Sequence, residues 1–251
     1  MEMSEAPSIL TRGDGTTIAY HRRAGKTPGI VFIHGFNSDM TGAKAMALDA
    51  FCAESGRAFL RFDYFAHGAS AGDFADATIG HFLADTLDAI DRQSEGKLVL
   101  VGSSIGGWLM LLAALARPER IHGLVGIAAA PDATEDLMWQ RFSFAQRETL
   151  LAKGSLHVPS QYSEASYLLT KKLIEEGRDH LVMRAPLAIT CPVRLLHGME
   201  DPDVPWQTSL ALADRLAGSD VHVALIKDGD HRLSRERDLA LLIRTVRALL
   251  V

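Results

Sequence analysis

The stretch LVLVGSSIGG, which begins at Leu98, constrains the fold of this chain more than any other. An apolar run stops there at a cluster of small residues, and the helix-forming segment from Trp108 to Ala116 follows. Its centre fits G-x-S-x-G, the pattern in which a strand, a sharp turn and a helix expose a serine hydroxyl. Gly102 and Gly106 flank this serine because a Cβ would crowd the backbone where the turn is tightest. The stretch therefore predicts a nucleophilic serine at position 104.

Apolar, strand-like runs and helical segments alternate along most of the chain. The run from Gly29 to Gly35 is apolar and β-branched, as is typical of a strand buried on both faces of a parallel sheet. Further strands are predicted at 58–63, 98–101, 121–130, 191–199 and 221–226, and helices at 41–54, 79–90, 108–116, 207–216 and 239–250. This alternation predicts an α/β fold with right-handed crossovers, a mainly parallel sheet and helices on both faces. Residues 9–12 and 16–23 predict an N-terminal antiparallel hairpin at the sheet edge.

The block from residue 132 to residue 186 interrupts this alternation. Its pattern is helical and amphipathic without a strand-like run, and it is too long for an ordinary connection in a compact fold. We predict a helical cap at 132–186, inserted into one α/β core formed by 1–131 and 187–251. Most large side chains of the block are expected to pack the cap onto the core, and some to line a substrate pocket: Met138, Trp139, Phe142, Phe144, Tyr162 and Tyr167. Trp139, Phe142 and the downstream Trp206 are our candidates for substrate binding.

Composition and charge exclude several classes of protein. The net charge is −5 and the basic residues are dispersed, which argues against binding of nucleic acid or of an anionic membrane surface. The longest mostly apolar stretch is too short to cross a bilayer, so no stable membrane insertion is expected. Cys52 and Cys191 lie far apart, and the acidic N-terminus lacks the features of a signal or transit peptide. We therefore predict a cytoplasmic protein.

A serine hydroxyl needs a base within hydrogen-bonding reach, and that base needs a third group to orient it. In this type of fold the expected chain order is serine, acid, histidine. Asp201 follows the predicted strand 191–199, and His231 lies in a loop between the last strand and the last helix. We predict Ser104 as the nucleophile, His231 as the base and Asp201 as the acid. Scattered histidines without ligand spacing predict no metal site, and no cofactor is expected.

Other residues compete for these roles. Glu200 and Asp203 are close neighbours of Asp201, and Asp132 at the end of an earlier strand could reach the same histidine. Asp230 is interpreted as a loop former or a surface charge. His34 and His197 each precede a glycine at a strand end and are expected to support the site by hydrogen bonds. The other histidines considered show no nearby partner pattern: His21, His81, His122, His157, His180 and His222.

The reaction also requires donors for the negative charge that develops on the substrate's carbonyl oxygen. We predict that two backbone N–H groups supply them. One belongs to Ile105, directly after the nucleophile at a helix start, and the other to Phe36, in the loop after the third strand.

With these residues placed, the chain resembles the α/β-hydrolase superfamily over essentially its whole length. More narrowly, it is similar to the abhydrolase-domain-containing protein ten group. The resemblance is carried by RFDY at 61–64, VGSSIGGWLML at 101–111, CPVRLLHGM at 191–199, VPW at 204–206 and DHR at 230–232. It implies an α/β-hydrolase fold and places the group's catalytic triad on Ser104, Asp201 and His231. Since the chain lacks a transit peptide pattern, we expect a bacterial relative of that group.

Mitochondrial members of this group act as palmitoyl-protein thioesterases and acyl-glucuronide esterases. The resemblance therefore implies a serine hydrolase that cleaves esters or thioesters, of a small molecule or of an acylated protein, through an acyl-enzyme. A general carboxylesterase or lipase-like hydrolase of small esters is the alternative. Ser104 argues against related enzymes that use an aspartate nucleophile. A catalytically silent binding protein would lack a triad member, and none is missing.

Overall fold

The computed structural model describes residues 6–159 and 166–250. Ten strands are present in these ranges: β1 (Ser8–Thr11), β2 (Thr17–Arg23), β3 (Lys26–Ile33), β4 (Arg57–Phe62), β5 (Leu98–Ser103), β6 (Ile121–Ile127), β7 (Ser155–Val158), β8 (Tyr167–Thr170), β9 (Val193–Gly198) and β10 (Val221–Ile226). Eight of them form one sheet in the order β1-β2-β4-β3-β5-β6-β9-β10. The strands from β4 to β10 in that order pair in parallel, whereas β2 pairs antiparallel with both β1 and β4. The predicted parallel sheet with an antiparallel N-terminal edge is confirmed.

The helices pack on both faces of this sheet. They are α1 (Ala43–Ser55), α2 (Ile79–Gln93), α3 (Ile105–Ala116), α4 (Phe144–Lys153), α5 (Lys171–Gly177), α6 (Gln207–Arg215) and α7 (Glu236–Ala248). On β3, Ile30 and Phe32 belong to the apolar cluster formed with α1 and α7, whereas Val31 and Ile33 belong to the cluster formed with α2 and α3. This division follows from the alternation of side chains along a strand. The continuous apolar run in β3 is thus explained by burial on both sides.

The block 132–186 is not purely helical, which corrects the prediction. Besides a π-helical turn (Thr134–Met138), α4 and α5, it contains β7 and β8, which form a separate antiparallel pair. Each of these strands has four residues, SLHV and YLLT. Runs this short carry too little alternation to be distinguished from helix by periodicity. Of the aromatic residues predicted in the block, Tyr162 lies outside the described residues.

The described residues include no helix with the length and hydropathy needed to cross a bilayer.

The turn after β5 requires glycine because two backbone segments touch there. A Cβ on Gly106 would lie 2.2 Å from the carbonyl oxygen of Ile33 and 2.3 Å from that of His34. We therefore expect Gly106→Ala to lower the free energy of unfolding by more than about 3 kcal/mol, since backbone atoms of a central strand have no room to move. Urea unfolding measures this change. Gly13→Ala is the control, because a Cβ on Gly13 meets nothing within 4 Å; equal losses in both variants would contradict the prediction.

Candidate active site

Ser104 occupies the turn between β5 and α3 in a backbone conformation that a residue with a side chain rarely adopts, with φ 56° and ψ −123°. Its N–H donates to the carbonyl oxygen of Ile127 at 2.9 Å, and its own carbonyl oxygen accepts from Gly107 at 2.8 Å and Ala130 at 3.0 Å. Such strain persists only where surrounding contacts hold it. The central position of β5 and these three hydrogen bonds keep the serine at the carboxyl edge of the sheet.

Three loops bring Ser104, His231 and Asp201 into one hydrogen-bonded series. Nε2 of His231 lies 3.1 Å from Oγ of Ser104, and Nδ1 of His231 lies 2.8 Å from Oδ2 of Asp201. Asp201 follows β9, and His231 lies between β10 and α7. Because β5, β9 and β10 run parallel, the loops at their carboxyl ends open on the same edge of the sheet. This arrangement allows the imidazole to take a proton from the serine hydroxyl.

The carboxylate of Asp201 is fully buried and has N–H donors on both oxygens. Oδ1 accepts from the backbone N–H of Asp203 at 2.9 Å and of Val204 at 2.8 Å. Oδ2 lies 2.8 Å from Nδ1 of His231 and 3.2 Å from Nε2 of His197. Burial acts to raise the pKa of Asp201, but the hydrogen bonds from His197 and His231 outweigh it and hold the pKa well below its usual range. Asp201 is therefore ionised at neutral pH.

Asp132 and Asp230 have contacts of their own. Asp132 is buried, and its two oxygens accept from the backbone N–H groups of Val182 at 2.7 Å and Met183 at 2.9 Å. It thereby ties the end of the inserted block to the end of β6. Glu200 is exposed, and Asp230 accepts from the N–H of Leu233 at 2.9 Å, as a loop former does.

The two predicted oxyanion donors lie on segments that meet at Ser104. Ile105 is the first residue of α3, directly after the serine. The loop after β3 approaches from the other side, since a Cβ on Gly35 would lie 3.3 Å from the Cβ of Ser104. Phe36 is the next residue of this loop. His34, which precedes both, is buried, stacks on Tyr64 at 4.1 Å and has Nδ1 2.8 Å from the carbonyl oxygen of Gly35.

His67 supports this loop and was not identified from the sequence. Its Nε2 accepts from the backbone N–H of Asn37 at 3.2 Å, and its Nδ1 donates to the carbonyl oxygen of Phe65 at 2.9 Å. Asn37 has φ 52°, so the hydrogen bond holds an unfavourable conformation next to Phe36. Burial lowers the pKa of His67 to about 4, which keeps Nε2 available as an acceptor at neutral pH. A histidine in a glycine-rich loop directly after a buried strand was the available signal.

A cavity of about 560 Å³ opens above Ser104. Part of its wall is apolar, and the inserted block supplies most of that part: Ala133, Leu137, Met138, Phe142, Val158, Tyr167 and Leu169. Another part is charged and includes Asp39, Lys44, Arg141, Asp203 and Arg232.

Only one of the three predicted substrate-binding residues lines this cavity. Phe142 does, whereas Trp139 and Trp206 do not. The ring of Trp139 instead lies 5.1 Å from the guanidinium carbon of Arg147 and 5.3 Å from that of Arg178. Trp206 precedes α6. Phe144, also considered from the sequence, is 80% exposed. These residues were selected for their size, and the size of a side chain does not indicate whether it points into a cavity.

One group of possible metal ligands exists among the described residues, namely Asp201, Asp203 and His231, whose ligand atoms lie within 4.8 Å of one another. Both oxygens of Asp201 already face two N–H groups each. A cation would have to displace these donors, so the donor set does not favour a metal.

Comparison with known proteins relates the chain to hydrolases. The family model described as "Alpha/beta hydrolase family" matches residues 30–244. The mouse and human proteins named "Palmitoyl-protein thioesterase ABHD10, mitochondrial" are 45% and 42% identical over 240 residues, which cover 95% of this chain and 80% and 78% of those proteins. Among solved structures, mouse alpha/beta hydrolase domain-containing protein 10 has a TM-score of 0.91 at 44% identity. A putative hydrolase from Agrobacterium vitis S4 has a TM-score of 0.93 at 38% identity, and each alignment covers 98% of both chains.

The predicted cytoplasmic localisation is wrong by this comparison. The relatives that cover 95% of the chain are mitochondrial proteins by name. Cysteine usage indicates a reducing environment, which does not distinguish one reducing compartment from another.

Proposed function

The chain belongs to the alpha/beta hydrolase family and is a hydrolase, and from this premise we propose that it cleaves acyl thioesters and esters through an acyl-enzyme on Ser104. One observation carries the proposal: the hydrogen-bonded series of Asp201, His231 and Ser104 lies beneath a cavity of about 560 Å³ with an apolar wall. This volume is within the usual range for small-molecule sites. The relatives' designation as palmitoyl-protein thioesterases supports a long acyl group as the substrate.

The proposed reaction has two stages. Oγ of Ser104 attacks the acyl carbon while Nε2 of His231 takes the hydroxyl proton, and the carbonyl oxygen becomes negatively charged. The backbone N–H groups of Phe36 and Ile105 stabilise this charge. The intermediate collapses, the bond to the leaving thiolate or alkoxide breaks, and the leaving group takes the proton from His231. Water, deprotonated by His231, then attacks the acyl-enzyme and releases the carboxylic acid and free Ser104.

We assign the apolar wall of the cavity to the acyl chain, and the described residues of the block 132–186 to a cap over it. Leu137, Met138 and Phe142 line this wall and belong to that block. Burial of a Phe-sized apolar group stabilises a complex by about 1.5–3 kcal/mol. Several such contacts favour an aliphatic chain over acetyl.

A second candidate follows from the charged wall. Lys44, Arg141 and Arg232 line the cavity together with His231, the residue that would protonate the leaving group. Nζ of Lys44 donates to the carbonyl oxygen of Arg232 at 2.6 Å, which keeps this cation next to the histidine loop. These three cations outnumber the carboxylates of Asp39 and Asp203 on the same wall, which favours esters with an anionic leaving group, as in acyl glucuronides. A general esterase for small neutral esters is the remaining alternative.

A graded substrate panel tests the proposal and separates these candidates. Acyl-nitrophenyl esters and S-acyl peptides from acetyl to palmitoyl are expected to show kcat/KM rising with chain length, because the apolar wall binds the chain.

Phe142→Ala should raise KM for the long substrates by about tenfold, as loss of 1.4 kcal/mol of binding free energy predicts. Phe144→Ala is the matched control, since Phe144 is 80% exposed.

In the substrate panel, rates that peak at acetyl and vanish by octanoyl would exclude a depalmitoylase. Faster cleavage of an acyl glucuronide than of the uncharged acyl glucoside would favour the second candidate.

A further inference from the structure

His197, at the end of β9, contacts the acid of the series although the proposed mechanism does not use it. Its Nε2 lies 3.2 Å from Oδ2 of Asp201 and 3.0 Å from the carbonyl oxygen of Val204. Its Nδ1 lies 2.7 Å from Oγ of Ser209 on α6. The side chains of His197 and Asp201 are fully buried, and Ser209 is 1% exposed. Both ring nitrogens of this buried imidazole therefore have partners.

These partners determine which ring nitrogen carries a hydrogen. A carboxylate oxygen and a carbonyl oxygen only accept hydrogen bonds, so Nε2 of His197 must be the donor. In the neutral ring Nδ1 then has a lone pair, which the hydroxyl of Ser209 satisfies by donating to it. Ser209 thus favours the tautomer whose N–H faces Asp201.

Two imidazole nitrogens consequently lie within 3.2 Å of one oxygen of Asp201, and the N–H of His197, which is hydrogen-bonded to the carbonyl oxygen of Val204, also faces this oxygen. Oδ2 faces His197 and His231, whereas Oδ1 accepts two backbone N–H groups. Hydrogen bonds to a carboxylate stabilise its charge and make it less basic. Each added donor therefore reduces how strongly Asp201 stabilises the protonated form of His231.

We propose that His197 is a positioning residue: it holds the Asp201 carboxylate in place and moderates its attraction for protonated His231, while Ser209 fixes the tautomer of His197. This inference rests on the proposed function, because it requires that Asp201 and His231 act as acid and base.

Removal of the donor gives an effect with a definite sign. We expect His197→Leu to lower kcat/KM about tenfold, the lower end of the losses found when a residue that orients a metal ligand is removed. At the same time the acidic limb of the kcat/KM profile should move to higher pH by up to about one unit, because the charge of Asp201 is then shared with one fewer donor. A merely structural role would loosen Asp201 and leave the limb in place or move it to lower pH.

Three variants control this result. His197→Gln retains an N–H donor in place of Nε2 and should keep the limb at its wild-type position. Ser209→Ala removes the donor to Nδ1 and should move the limb upward by a smaller amount. His122→Leu removes a histidine hydrogen bond to Leu249 at the opposite end of the sheet and should leave the limb unchanged. The other charged groups around His231 are the same in all variants: Lys44 from α1, Asp203 from the loop after β9, and Asp230 and Arg232 from its own loop.

The possible outcomes separate this inference from the proposed function. An active wild type whose acidic limb stays or moves down in both His197→Leu and Ser209→Ala overturns the inference alone. If His197→Leu does not fold, the direction in which the acidic limb moves in Ser209→Ala decides the inference. An inactive wild type overturns the proposed function instead. In that case, NMR titration of the Nδ1–H proton of His231 tests the inference without substrate. His197→Leu should then raise the pH at which this proton's signal titrates.

Discussion

Alanine at position 104 is expected to lower kcat by roughly a million-fold, the loss found when the nucleophile of a serine hydrolase triad is removed. The expected cause is loss of the atom that carries the acyl group in the proposed mechanism, Oγ of Ser104, which lies 3.1 Å from Nε2 of His231. A fluorophosphonate probe should label the native protein and fail to label Ser104→Ala. The fold should persist, because the strained turn is held by backbone hydrogen bonds at Ser104.

The adjacent serine provides the control for this prediction. Ser103 also lines the cavity but is the last residue of β5 and is 6% exposed. Ser103→Ala should retain probe labelling and most of the activity. A folded wild-type protein that is not labelled, or a Ser104→Ala variant that still is, would falsify the assignment of the nucleophile.

Asp201→Asn is expected to lower kcat by about 10⁴-fold, as happens when the carboxylate that orients a catalytic histidine becomes an amide. An amide presents N–H or oxygen to Nδ1 of His231 without the charge that stabilises the imidazolium. The side chain keeps its size, so kinetics and thermal unfolding together separate the loss of charge from loss of the fold.

Asp132→Asn tests the competing acid at the end of an earlier strand. Asp132 accepts from the backbone N–H groups of Val182 and Met183, and an amide can accept from only one of them. We expect a loss of about 1–3 kcal/mol in the free energy of unfolding and kcat within about tenfold of wild type, because a buried N–H group loses its partner. The reverse pattern, with Asp132→Asn inactive and Asp201→Asn active, would move the acid to the end of β6.

Several features of the molecule were accessible from local sequence pattern. The alternation of β-branched runs with amphipathic segments predicted the parallel sheet, since burial of a strand on both faces leaves a continuous apolar run such as that of β3. The strand, turn and helix around Ser104 are likewise encoded within about ten residues. The two strands of the inserted block could not be predicted in this way, because β7 and β8 have four residues each, which is too few to show a periodicity.

The chain alone therefore indicated the positions of the strands and helices of the main sheet and the residue types at the strand ends. The partners of those residues depended on the path of loops that are far apart in sequence. Asp201 and Asp132 are both acids at a strand end, yet one faces His231 and the other faces the backbone of the inserted block. His67 and His197 acquired their contacts in the same way, His67 through a hydrogen bond from Asn37 and His197 through a hydrogen bond to Val204 beside Asp201. Hydrogen bonds act over about 3 Å, so such choices depend on tertiary packing and not on local pattern.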